Sequence, residues 1–360
     1  MKKILVINSG SATLKFKVFS AADLKEEVSG NIERIGLSGG PANHEIAFSE
    51  VVSRLKDILP DIKLVGHRVV HGGGVFNKPQ KLDAKVIAEL EKFNKLAPLH
   101  NPVNLACVKS AMKILPHVDQ FAIFDTAYYS SIPDYAHRYA LPEKYYALGI
   151  RRYGFHGISH KYAIINGAKK AKIKIAKSKI ITCHLGSGCS ITATQNGRAV
   201  DTTMGFTPLE GLTMSTRAGD LDASIPLYMI NELKMTPAEI YDLFNKQSGL
   251  LGICGLMDMR EILIAAGKKV VGYKSDKKYS KKQQADCRLA LEIFVYDIVR
   301  YIGQLAMSMS GMDLIVFTGG IGERSPVVRK MVLDRIKSLR KFQSAVVNAD
   351  EEWMIAQEIK

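Results

Sequence analysis

Residues 4–16, ILVINSGSATLKF, hold an apolar strand, a turn crowded with small polar residues, and a second strand opening at Leu14 with Lys15 beside it. An ordinary hairpin needs no more than Asn-Gly or Asp-Gly at its turn. Here Asn8, Ser9, Gly10, Ser11 and Thr13 gather hydroxyls and backbone N–H groups into one bend, with a lysine just beyond, which is chemistry suited to an anion. The plan is echoed from residue 179 by KIITCHLGSGCSITATQNGRAV, again strand, Ser/Gly turn, strand. Two copies of one hairpin predict two domains with related sheets facing each other across a cleft. A third glycine-rich bend, DLIVFTGGIGERS at 313–325, runs from an apolar strand through Thr318, Gly319, Gly320 and Gly322 toward a helix near Pro326. Glycine lets a backbone approach a ligand and a helix N-terminus favours negative charge, so this bend reads as a backbone-lined nucleotide site. Neither G-x-x-x-x-G-K-[ST] nor G-x-G-x-x-G occurs, which argues against a P-loop protein and a Rossmann dehydrogenase.

Outward from these turns, strands are expected at 4–8, 14–19, 63–70, 121–125, 179–184, 190–194 and 313–318. Helices are expected at 45–58, 84–95, 102–115, 237–246, 258–267, 284–309 and 326–338. Their alternation gives an α/β architecture. With 360 residues, 47% hydrophobic and 24% charged, the chain is long enough for two domains with cores of their own. No apolar run approaches the roughly 18 to 20 residues of a membrane span, and Met-Lys-Lys before ILVI is too short for a secretory signal, so a cytoplasmic protein with no membrane partner is expected. The five cysteines, Cys107, Cys183, Cys189, Cys254 and Cys287, are scattered through apolar segments and read as reduced core thiols. Much of the formal charge of +15 lies in KKAKIKIAKSK at 169–179 and KKYSKK at 277–282, which read as solvated basic faces rather than a nucleic-acid surface.

VINSGSATLKF, GHRVVHGG, LAPLHNP, FDTA, RRYGFHGISHKY, HLGSG, DTTMGFTPLEGLTMSTRAG, SGLLGICG, FTGGIGE and DEEWMIA follow one another along nearly the whole chain, and in that order they resemble the acetate kinase family. The resemblance implies the acetate and sugar kinase, heat-shock protein and actin superfamily, with two duplicated ribonuclease-H-like (actin-like ATPase) domains and an interdomain cleft. The domains are expected at 1–127 plus 345–360, completed by a C-terminal helix, and at 128–344, carrying most of the nucleotide site. The implied activity is reversible, Mg²⁺-dependent phosphoryl transfer between ATP and acetate, giving acetyl phosphate and ADP, in a homodimer. A propionate or other short-chain acyl kinase of the same family is the alternative.

Phosphoryl transfer needs the attacking oxygen, phosphorus and leaving oxygen held in line while cations gather the charge of the transferring group. The resemblance assigns Arg68 to the acyl carboxylate and Arg217 to carboxylate and phosphoryl oxygens, and a guanidinium fork matches either group bidentately. Asp125 ends the apolar strand QFAIF. Because a carboxylic acid substrate is already ionised at neutral pH, Asp125 is expected to organise charge rather than take a proton, although the family places it among the catalytic residues. His156 is implied beside the transferring group, supported by His100 and His184. His156 and His160 have the spacing of zinc ligands on a helix, but Gly157-Ile158-Ser159 between them opposes a helix and lacks the expected Glu. His67, His71 and His160 read as core histidines.

The resemblance places Mg²⁺, with Mn²⁺ as an alternative, near Asn8 and Glu351, and the register leaves Glu352 as the acid that could serve instead. It lines the acyl pocket with Val70, Leu99, Phe155 and Pro208, and one methylene in such a pocket separates acetate from propionate poorly. ATP contacts are implied at Lys15, at His184, Leu185, Gly186, Ser187 and Gly188, at Asp258, Met259 and Arg260, and at Gly320, Ile321, Gly322, Glu323 and Arg324. The sequence departs from the family pattern at Ser187, Tyr129, Ser215 and Arg324, in a shortened segment before DEEWMIA, and in Asn348-Ala349-Asp350 before the two acids. These changes bear on nucleotide affinity and the C-terminal metal contact more than on reaction type. A non-catalytic or nucleic-acid-binding ribonuclease-H-like protein is the rival reading that the charge supports; it would need clustered carboxylates for two metals, and the stretches around Asp125, Asp201, Asp222 and Glu351 offer no such compact motif.

Overall fold

A computed structural model describes residues 2–360 except Ser11, Leu99 and Arg340. The chain divides into one unit of residues 1–130, 155–162 and 350–360 and another of 131–154 and 163–349.

In the first unit, β1 (Lys3–Ser9), β2 (Thr13–Ser20), β3 (Glu26–Glu33), β4 (Ile62–Val69), β5 (Gln80–Lys81) and β6 (Asp119–Phe124) form a sheet in the order 3-2-1-4-6-5. In the second, β7 (Lys179–Leu185), β8 (Cys189–Gln195), β9 (Arg198–Thr202), β10 (Leu314–Thr318) and β11 (Gln343–Val346) lie in the order 11-10-7-8-9. The two sheets share one plan. An antiparallel meander (β1–β2–β3, β7–β8–β9) is extended on its first strand by two parallel strands (β4 and β6, β10 and β11). All seven expected strands are present, and the repeated hairpin is the first step of a repeated sheet.

Strand alternation decides how the first sheet is covered. Leu5 and Ile7 point to one face, with Leu14, Phe16 and Val18, and pack on Ala47, Phe48 and Val51 of the helix His44–Arg54. Ile4 and Val6 point to the other face and meet Met354, Ile355 and Ala356 of the helix Glu351–Ile359. That helix comes so close to β4 that a Cβ on Gly66 would lie 2.6 Å from Ile355 Cγ2. The C-terminal segment is therefore an integral layer of the first unit.

The segment 155–162 departs from the expected boundary at residue 128. Gly157 donates to the Asp125 carbonyl at 3.0 Å, and Ile158 sits in the Ile4–Val6 cluster, so these residues pack with the first unit. Glycine at 157 does not prevent a helix, as the sequence suggested it would. Gly157–Ala171 is helical, because glycine there allows a close approach: an added Cβ would lie 2.2 Å from the Asp125 carbonyl oxygen. His156 stands just before the helix with φ of 60°, in the left-handed region. No helix among the described residues is long and apolar enough to cross a membrane.

Candidate active site

In the first unit the expected residues gather where β1, β4 and β6 end. Asn8 lies on β1, Arg68 on β4, and Asp125 follows β6. Arg68 donates through Nε to Asp125 Oδ1 at 3.0 Å and through Nη2 to Oδ2 at 2.6 Å, while Nη1 donates to Asn8 Oδ1 at 3.1 Å. Burial would lower the basicity of Arg68, but Asp125, Glu351 and Glu352 outweigh it and its pKa is raised. Asp125 is 1% exposed. Burial pushes its carboxyl up while the Arg68 guanidinium opposes that, and the two-pronged contact favours the ionised pair. The backbone N–H of His156 also donates to this carboxylate, which ties the strained turn at 156 to Asp125.

The helix at 351–359 starts with two adjacent acids aimed at Asn8. Its Nδ2 donates to Glu351 Oε2 at 3.1 Å and to Glu352 Oε1 at 2.7 Å, and Glu351 Oε2 lies 3.7 Å from Arg68 Nη1. Glu352, the alternative to Glu351 in the sequence reading, is buried at 7% exposure, and its pKa is raised by burial and by Glu351. The donor set around Asn8 is all oxygen, as a hard divalent cation prefers. Among the described residues no three His, Cys, Asp or Glu side chains form a closed metal cage, which leaves room for a divalent ion that keeps waters and phosphate oxygens in its shell. Lys15 faces Asn8 across the β1–β2 ladder, where it favours ionised Glu352.

Two asparagines that the sequence reading passed over knit this region together. Asn104 donates to the Ser9 carbonyl at 2.8 Å and accepts from Val70 N–H at 3.1 Å, joining the first turn to the end of β4. Asn101 both accepts from and donates to the His71 backbone at 3.0 Å, and His100 precedes it at the helix start. The recognisable signal was the N-x-x-N spacing in LHNPVN, one turn of helix apart. Val70 and Phe155 are buried, and Tyr129, one of the departures from the family pattern, donates its hydroxyl to the Phe155 carbonyl at 2.6 Å. Leu99 lies outside the described residues. His67 is a buried histidine bonded to Gln120 at 2.8 Å, its pKa pushed down to about 4 by burial.

In the second unit the two remaining glycine turns are neighbours. β7 and β10 are parallel, His184 pairs with Thr318, and the turns Leu185–Gly188 and Gly319–Gly322 leave their C-terminal ends side by side. Ligands of open α/β sheets bind beyond such strand ends. Gly319 has φ of 77° and a Cβ there would lie 2.8 Å from the Leu185 carbonyl oxygen, so only glycine permits both turns. Ser187 accepts through its carbonyl from Ser215 N–H at 3.1 Å, so two of the departures from the family pattern touch each other. Ile321 and Arg324 lie with these glycines on the helix Gly319–Arg324, whose Glu323 accepts from Ala349 N–H at 2.7 Å. Asp258, Met259 and Arg260 open a separate helix, Met259–Ala265.

Arg217 is held by its loop rather than by an acid. Its Nη1 donates to the Pro208 carbonyl at 3.3 Å and approaches Met214 Sδ at 3.8 Å, and no carboxylate pairs with it among the described residues. Burial lowers its pKa, only partly opposed by Cys189 and Tyr241. Gly249, at φ of 62°, lets the backbones at Met214 and Arg217 close in, since a Cβ there would lie 2.1 Å from the Met214 carbonyl oxygen. A half-buried cation with no counter-charge among the described residues suits an anionic ligand.

Residues 3–340 match the model of the acetokinase family. The chain belongs to the acetokinase family. It is 42% identical to a protein of Thermotoga maritima named acetate kinase, over 94% of this chain and 87% of that one. The crystal structure of Porphyromonas gingivalis acetate kinase superposes with a TM-score of 0.87 at 34% identity, covering 99% of this chain and 98% of that one. A structure from Francisella tularensis titled a propionate kinase does so with a TM-score of 0.89 at 34% identity, covering 99% of each chain. The shared sheet plan of the two units is thus the duplicated actin-like ATPase fold of acetokinases, and ATP or ADP and a divalent metal are this family's co-substrate and cofactor.

Proposed function

We propose that this protein transfers the γ-phosphoryl group of ATP to acetate, reversibly. A carboxylate oxygen attacks γ-phosphorus, a new O–P bond forms as the bond to the β,γ-bridging oxygen breaks, and acetyl phosphate and ADP leave. No proton need be removed, because acetate is already ionised at neutral pH. Arg68 orients the acetate carboxylate, and Asp125 fixes the plane of that guanidinium. Arg217 and His156, with His100 and His184 in support, gather the charge of the transferring phosphoryl group, which spreads over its equatorial oxygens. Asn8 and Glu351 would hold Mg²⁺ (or Mn²⁺) from the protein side, where the ion would supply neutralisation of phosphate charge. Val70, Leu99, Phe155 and Pro208 surround the acetate methyl. Lys15, the 184–188 turn, residues 258–260 and the 320–324 turn bind ATP.

The observation that carries this reading is Arg217, a half-buried guanidinium left without a carboxylate partner among the described residues in a chain of this family. Hydroxylamine trapping of acyl phosphate formed from ATP, Mg²⁺ and acetate tests it, and absence of acetohydroxamate from folded protein would sink it. The Francisella likeness favours propionate as a second acceptor, and the same assay with propionate measures that. A homodimer is supported by the exposed apolar side chains of Leu227, Tyr228 and Ile230 on the helix Ser224–Asn231 and of Leu289 and Tyr296 on Lys281–Ser308, which sedimentation tests. A reducing, cytoplasmic setting suits the five free, buried cysteines.

A further inference from the structure

Arg260 is held unusually firmly for a residue with 57% of its side chain exposed. Asp258 accepts from its backbone N–H at 2.9 Å and from its guanidinium through Nε at 3.0 Å and Nη2 at 2.6 Å. The guanidinium carbon lies 4.5 Å from the centroid of the Tyr273 ring. One edge is gripped and one face is backed, which leaves a planar cation with much of its surface open.

Tyr273 comes from a segment with little reason to be ordered. Between Ala266 and Ser280 there is no helix or strand, five lysines (Lys268, Lys269, Lys274, Lys277 and Lys278) face one acid, Asp276, and Val271 is 90% exposed. What fixes the segment is Glu261, on the same helix as Arg260 and itself only 5% exposed. Its carboxylate accepts from the hydroxyls of Tyr273 and Tyr279 and from Ser275 Oγ at 2.8 Å, with the Lys277 ammonium 3.8 Å away. Ser275 Oγ and the Tyr279 hydroxyl lie 2.9 Å apart. Hydrogen bonds from Tyr273, Tyr279 and Ser275, in that order of weight, hold the Glu261 carboxyl down to about 2, so the acceptor stays ionised and its bonds charge-assisted.

We propose that Glu261 and Tyr273 form a clasp that presents Arg260 as a pre-oriented platform for a planar nucleobase, and so set affinity for the nucleoside end of ATP without touching the chemical step. The proposal rests on the reading of residues 258–260 as part of the nucleotide site. An arginine free in solvent gives up rotamer freedom when it stacks, whereas one already fixed between a carboxylate and a ring has lost that freedom beforehand. Glu261 and Tyr273 are positioning residues; they act through Arg260.

The test compares wild type with Tyr273→Ala, Tyr273→Phe, Glu261→Gln and Arg260→Ala, measuring kcat, KM for ATP and acetate, and inhibition constants for adenosine and inorganic tripolyphosphate. Tyr273→Ala is expected to raise KM for ATP and the adenosine constant about three- to tenfold, the scale of a lost cation–π contact, with kcat, KM for acetate and the tripolyphosphate constant unchanged. Tyr273→Phe, which keeps the ring and drops the hydroxyl, should fall between, as should Glu261→Gln. If Arg260→Ala weakens adenosine and Tyr273→Ala does not, the clasp is overturned. If Arg260→Ala leaves adenosine unaffected, the assignment of 258–260 beneath it falls instead. Equal losses for adenosine and tripolyphosphate would mean general disruption and would also overturn the clasp.

Discussion

Arg68 and Asp125 meet through two parallel hydrogen bonds, at 3.0 and 2.6 Å, with Asp125 only 1% exposed and Arg68 turned onward to Asn8. A carboxylate this enclosed is tolerable only with its cation. Arg68→Ala is expected to destabilise the fold by about 3 kcal/mol, because it leaves Asp125 buried and unpaired, and Arg68→Ala combined with Asp125→Asn should recover much of that loss. Urea unfolding of the two single variants and the double variant checks it. Strictly additive losses would show that the two side chains are energetically independent despite their geometry.

Arg217 should behave in the opposite way, since no acid among the described residues is left behind when it is removed. Arg217→Ala is expected to keep the fold and lower kcat by at least about 10²-fold, on the scale of one preorganised charge acting on the transition state. Arg217→Lys should rescue only in part, because a point charge cannot reproduce the planar fork. Phosphate should raise the melting temperature of wild type more than that of the alanine variant. Normal kcat in folded Arg217→Ala would remove this residue from the mechanism.

The hairpins were legible because a period of two and a Ser/Gly turn are local properties, and the repeated sheet grew from them. Arg68, Asp125 and His156 could be named from motifs, but the reason they converge could not. It lies in parallel pairing of β4 with β1 and β6, and in a left-handed His156 whose N–H reaches Asp125. β3, with its polar sequence EEVSGNIE, was missed because an edge strand wetted on both sides carries no apolar alternation. The grouping of 155–162 with the first unit is hidden for a similar reason, since contact with Asp125 over about thirty residues leaves no mark in local pattern. Glu351 and Glu352 stay alternatives in the sequence because neighbours on a helix point about 100° apart and sequence cannot say which one faces inward.

That pair of acids gives a pH-dependent prediction. Burial, and then the Glu351 charge, raise the Glu352 pKa. A carboxyl raised in the folded state contributes stability that is fully present below its unfolded value, near 4.3, and is lost as pH climbs through the folded value. Glu352→Gln should therefore melt higher than wild type at pH 7 in metal-free buffer, with the advantage shrinking as pH falls toward 4. Mg²⁺ with ADP should narrow the gap at pH 7 by stabilising wild type. A difference in melting temperature that does not change with pH would mean that Glu352 does not titrate as its surroundings require.

Acyl selectivity should respond at Val70, which is buried at 4% exposure and fixed by its N–H to Asn104 just beyond the end of β4 that carries Arg68. If its side chain limits the space beside the acetate methyl, Val70→Ala opens room for one or two methylenes without moving the arginine, because the backbone contact to Asn104 is untouched. Each buried methylene is worth about 0.8 kcal/mol, so kcat/KM for propionate and butyrate should improve relative to acetate by up to about tenfold. The alanine also removes core volume, so some loss of stability is expected, and the ratio of acids rather than either rate is the informative quantity. Competition between acetate and propionate in one reaction, with the two acyl hydroxamates separated and counted, measures that ratio directly. An unchanged ratio would assign Val70 to the core and leave acyl length to be set by other side chains.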